Sequence, residues 1–155
     1  MKFTTSDNQT SFTLNVERYE FPDEELHPTE DNPADEFDTG RFLIVSHDCK
    51  TPDGEWSVRG PTMKTTELDQ FAKWLESIIL GQPDAEGVCF TERELELTVD
   101  SFQRKLHVHL SGEFLPPMCS ELACRLSFPL QELDLVSAVA SIREQLAKFP
   151  GRPTP

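Results

Sequence analysis

Cysteine, glycine and cations are scarce in this sequence, and each shortage excludes something. Its 155 residues hold four cysteines, Cys49, Cys89, Cys119 and Cys124, with no C-x-x-C pair among them, so no paired-thiol motif marks a redox or zinc site. The expectation is a cytoplasmic protein whose reduced cysteines act as small buried apolar side chains. Seven glycines form no phosphate-cradling loop, so neither a nucleotide nor any other cofactor is expected. No apolar run approaches the ~20 residues of a membrane-spanning helix, and Met1 to Thr10 lacks the apolar centre of a secretory signal. Motifs of the G-x-S-x-G, H-E-x-x-H or cysteine-protease kind are also missing, which leaves no catalytic residue to name and argues against an enzyme. Fourteen Lys and Arg face 28 Asp and Glu, for a net charge of -14. Such a field repels phosphate backbones and anionic membranes and speeds encounter with basic proteins. Nucleic acid and membrane are therefore not expected as partners.

The length suits one domain spanning residues 1–155, with a polar lead to residue 10, an irregular acidic stretch at 22–40 and a tail at 151–155. Phe12, Leu14 and Val16 alternate with polar neighbours as in a half-buried strand, and Tyr19 and Phe21 continue it out of phase, as a bulge would. Arg41 to Lys50 reads as a second strand, Thr51-Pro52-Asp53-Gly54 as a hairpin turn, and Glu55 to Arg59 as the return, ended by Pro61. Leu68, Phe71, Ala72, Leu75 and Ile79 repeat at helical spacing between Thr65 and Leu80, with Trp74 at the border of that stripe. Short strands follow at Val88 to Thr91, Leu95 to Val99, Leu106 to Leu110 and Leu122 to Phe128. A second helix runs from about Gln131 to Phe149 on Leu135, Val139, Ile142 and Leu146, widened by Val136 and Ala140. No internal repeat is visible. The sum is an α+β fold, a mostly antiparallel sheet of about six or seven strands with two amphipathic helices packed on one face.

Two features carry chemistry. His107 and His109 share one face of a strand, as do His47 and Cys49 on another. Were the two faces to meet, four zinc ligands would converge, but solvent-facing histidines on the polar side of a strand are the plainer reading, and no metal is expected. Glu94, Glu96 and Asp100 also share a face, and alternation with apolar residues turns them toward water. The second feature is the acidic stretch. Asp23, Glu24, Glu25, Glu30, Asp31, Asp35, Glu36 and Asp38 lie between Pro22 and Gly40 with no Lys or Arg, and Leu26 and Phe37 are the apolar anchors within it. Such a segment suits capture of a basic protein surface, against the plainer reading of a solvated loop.

The chain also resembles the WapI family of bacterial immunity proteins. The resemblance rests on Trp56-Ser57-Val58-Arg59-Gly60-Pro61, Thr66-Glu67-Leu68 leading to Trp74-Leu75-Glu76, and Phe90-Thr91-Glu92. It continues through Gly112-Glu113-Phe114-Leu115-Pro116-Pro117, Phe128-Pro129-Leu130 and the closing Ile142 to Pro150. It implies a cytoplasmic antitoxin that binds and blocks a toxin, and it assigns no catalytic or binding residue. The expected function is a non-catalytic inhibitor of a toxin domain, with a basic toxin domain as the partner that the acidic surface suits. The competing expectation is an interaction or structural module, homodimeric in one form, with no toxin partner.

Overall fold

A computed structural model describes residues 1–20, 42–83, 86–117 and 121–151. The described residues form an α+β fold of eight antiparallel strands in two four-stranded sheets with two helices. The first sheet contains β1 (Lys2–Thr4), β2 (Ser11–Tyr19), β3 (Phe42–Thr51) and β4 (Gly54–Lys64), and α1 (Thr65–Ile79) follows it. The second contains β5 (Gly87–Cys89), β6 (Leu95–Asp100), β7 (Lys105–Ser111) and β8 (Ala123–Pro129), and α2 (Leu135–Lys148) follows it. Each sheet is a meander in chain order. The same sequence of elements, four strands and then a helix, thus occurs twice without a visible repeat in the residues.

The fold class agrees with the periodicity, and four details differ from it. The polar lead contains β1, which pairs with β2 and buries Phe3 beside Phe12 at 6.5 Å between ring centroids. Three residues are too few to show an alternation. Pro61 does not end β4: it lies within the strand, opposite Ile44, beside a register shift. An edge strand tolerates proline because one side of its backbone needs no donor. On α1 the buried face is turned, so that Trp74 is inside and Ile79 is 43% exposed. On α2 the helix begins only at Leu135, capped by the Asp134 carboxylate on the Ser137 amide at 2.9 Å, and Val136 stands in solvent. The expected bulge in β2 is present between Val16 and Arg18.

One buried cluster joins both sheets and both helices: Phe12, Leu14 and Val45 with Phe71 and Leu75, Leu97, Val108 and Phe128, and Ile142. Phe3 meets Phe128 at 5.9 Å, and Phe71 meets Phe90 edge-on at 5.8 Å. Two polar clamps lock the layers. The Trp56 indole N–H donates to the Phe114 carbonyl at 3.1 Å in the buried interior. Phe114 reaches that position through a tight turn at Gly112, whose φ of 54° is strained for any residue with a side chain. Trp56→Phe keeps one aromatic ring, strands that carbonyl and leaves a cavity where the rest of the indole was, so it should cost about 2–4 kcal/mol in urea unfolding. The second clamp is Arg143 on α2, which forks onto Glu76, with Nη2 to Oε1 at 3.0 Å, and also pairs with Asp69, both on α1. The group is partly solvated and screened, so Arg143→Ala should cost only about 1 kcal/mol, and the loss should shrink in high salt.

Candidate partner-binding surfaces

His47 and Cys49 project from β3 into the interior, because they share a face with Val45, opposite Leu14 and Phe12 on β2. The His47 ring stacks on Phe12 at 5.7 Å and tilts against Phe114 at 4.8 Å. Its Nε2 lies 3.2 Å from the Thr62 hydroxyl, which itself donates to the Gly60 carbonyl. The proton of the neutral ring therefore sits on Nε2, and Nδ1 faces no partner. Burial drives the His47 pKa down to about 4, against a slight pull upward from Asp48. Burial likewise pushes the Cys49 thiol up to about 12, with Cys124 and Asp48 adding to it. The Cys49 thiol therefore stays protonated at neutral pH, and the neutral His47 ring is enclosed between Phe12 and Phe114.

His107 and His109 lie elsewhere, on the face of β7 turned away from the cluster that holds Leu106, Val108 and Leu110. His107 Nδ1 is 2.9 Å from the Ser127 hydroxyl, and His109 Nε2 is 2.8 Å from the Thr98 hydroxyl. The four candidate ligands thus occupy two separate faces, and among the described residues no group of three or more His, Cys, Asp or Glu is placed to hold a metal. Glu96 is exposed, Asp100 is half-buried, and Glu94 accepts from the Glu113 amide at 3.2 Å. The three carboxylates do not act as a pair.

An open hollow of about 540 Å³ lies over the outer face of the first sheet between Lys2, Thr13, Lys50 and Glu55. Within it the Ser57 hydroxyl donates to Asp48 at 2.6 Å. The His47 imidazole on the same strand as Asp48 points to the other side, so it does not reach that serine.

Asp23, Glu24, Glu25, Leu26, Glu30, Asp31, Asp35, Glu36, Phe37 and Asp38 lie outside the described residues. The frame from which they depart is described. The Glu20 amide donates to the Phe42 carbonyl at 2.9 Å, closing the ends of β2 and β3 across the excursion. Beside that junction the Tyr19 hydroxyl donates to the Pro150 carbonyl at 2.5 Å, and its ring meets Phe149 edge-on. Burial and then the neighbouring Glu92 raise the Glu20 carboxyl above its usual range, and Arg18 partly offsets them. Negative charge is therefore already crowded where the acidic stretch leaves the sheet.

Alternation puts Lys105 on the face of His107 and His109, but sequence reasoning missed Arg125 on the neighbouring strand. Arg125 on β8 stands directly across from His109, and Lys105 shares their face. Alternation placed both histidines outward, but only the pairing register brings Arg125 beside them.

The family model for the immunity protein WapI-like family matches residues 2–150, and the chain belongs to that family. No curated protein matches it. Among the described residues no helix is long and apolar enough to cross a membrane.

Proposed function

We propose that this chain acts as a single domain that inhibits a protein toxin in the cytoplasm by occluding it, without chemistry of its own. Membership of the immunity family carries this reading. Its finer part concerns how the partner is held. Eight carboxylates between Asp23 and Asp38, unrelieved by any Lys or Arg, generate a local field that basic side chains on a partner neutralise. Leu26 and Phe37 supply apolar anchors within that field. The crowding of Glu20 and Glu92 at the root of the segment supports the same polarity. A partner with a cationic surface, such as a toxin that itself handles nucleic acid, fits this field.

Capture from a lysate of the native cell tests the reading. The immobilised chain should retain one basic protein at low salt and release it as ionic strength rises, because exposed charge contacts are screened over about 8–10 Å near physiological salt. The activity of the released protein should then fall when the chain is added back. Retention of nothing that the chain inhibits contradicts the inhibitor reading, and retention that salt does not weaken contradicts the acidic mechanism.

A further inference from the structure

Across β7 and β8 the outward face of the second sheet has a polarity opposite to that of the chain as a whole. Lys105, His107, His109 and Arg125 lie there without an intervening carboxylate. The two imidazole rings are 6.0 Å apart, and His109 is directly opposite Arg125. On β6, Glu96 faces His109 and Asp100 faces Lys105. Asp100 is engaged by the Gln103 amide at 2.7 Å, and the side chains of Lys105 and Arg125 make no ion pair or hydrogen bond among the described residues. In a chain with twice as many acids as bases, two unpaired cations beside two histidines are an unrelieved positive feature. Burial, then Arg125 and His109, hold His107 below the usual histidine range, with Lys105 adding and Asp100 opposing.

The rings are also aimed. Ser127 engages Nδ1 of His107 and Thr98 engages Nε2 of His109; His107 is only 9% exposed, and the half-buried His109 is the ring whose other nitrogen is left for an external acceptor. At the two ends of the strip stand the most exposed large apolar side chains of the described residues. Phe102, in the turn between β6 and β7, is 97% exposed, and Leu122, just before β8, is 92% exposed. The turn is held by the Gln103 amide on Asp100 and by Arg104 at a φ of 54°. Phe102 is therefore presented on a braced tip.

From this arrangement we infer that the outer face of β7 and β8 is a second docking surface, which receives a carboxylate-bearing protein segment with apolar residues at its ends. Arg125 and Lys105 pair with its acids, His109 donates to them with His107 beneath the strip as a reporter, and Phe102 and Leu122 cover its apolar ends. A nucleic-acid strand would offer anions too, but its continuous phosphates meet the net charge of -14, whereas a short acidic segment contacts the strip alone. The inference goes beyond the inhibitor reading and is opposite in sign to the acidic segment.

The test uses the full chain and a polyglutamate peptide with leucine at each end, followed through the histidine ring signals in NMR at low salt. The His107 and His109 signals should move saturably and the His47 signal should stay fixed. Lys105→Gln with Arg125→Gln should weaken binding by about tenfold or more, with the amide spectrum of the remainder unchanged. Phe102→Ser with Leu122→Ser should weaken the leucine-ended peptide and leave polyglutamate without leucines unaffected. Static His107 and His109 signals, equal binding by the charge-neutralised variant, or tighter binding of an oligouridylate of equal charge would each overturn the inference. No toxin enters this experiment, so its failure leaves the inhibitor reading standing.

Discussion

Acidification from pH 7 to pH 5 should remove about 2 kcal/mol of folding stability through His47 alone. The folded-state pKa of about 4 lies below the ordinary value of 6.5. Between these values the unfolded chain binds a proton at His47 that the folded chain refuses. The contribution is therefore complete above pH 6.5, falls as pH drops, and is exhausted below pH 4, by which point about 3 kcal/mol has gone. The cause is structural: a second proton would lie on Nδ1, which has no acceptor, in a ring enclosed by Phe12 and Phe114. His47→Phe preserves the aromatic stack and removes the titration, at a neutral-pH cost of about 1 kcal/mol for the lost Thr62 contact. Urea unfolding of both proteins from pH 7 to pH 4 isolates the effect, because protonation of the many carboxylates is common to the two. Parallel profiles would show that the interior accommodates charged His47.

The larger expected effect concerns the acidic segment. Replacing Asp23, Glu24, Glu25, Glu30 and Asp31 with Asn or Gln should weaken capture of a basic partner by roughly 10²–10³-fold, taking somewhat under 1 kcal/mol for each exposed charge contact. The loss should fall mainly on the association rate, and it should narrow as salt rises. Folding stability should stay the same or increase slightly, since the change relieves repulsion among like charges. Affinity measured at two salt concentrations, beside the unfolding midpoint, separates these effects. Unchanged affinity with an intact fold would move the interface off the acidic segment.

Much of the architecture was legible because its elements are regular. The alternation of Leu95, Leu97 and Val99 and of Leu106, Val108 and Leu110 gives β6 and β7. The helical spacing of Leu68, Phe71 and Leu75 gives α1, and the Pro52–Asp53 turn gives the hairpin of β3 and β4. The division into two sheets was not legible, because alternation states which way a side chain points but not which strand lies alongside. The same limit applies to the sites. His47, His107 and His109 look alike in the sequence, each flanked by strand residues. Pairing places the first between two phenylalanines and the other two beside Arg125. Proline misled for a related reason: Pro61 reads as a stop, yet β4 is an edge strand and continues through it.

The central claim, that this member of the immunity family inhibits a toxin by binding it, is tested most directly by titration. The captured partner is held at a fixed concentration well above the dissociation constant, its activity is measured, and this chain is added in steps. The account predicts a linear fall to no activity at one chain per partner, with both proteins recovered chemically intact. Complete inactivation by a small fraction of an equivalent, with the partner covalently altered, would contradict it by showing catalysis, and so would full activity in the presence of excess chain.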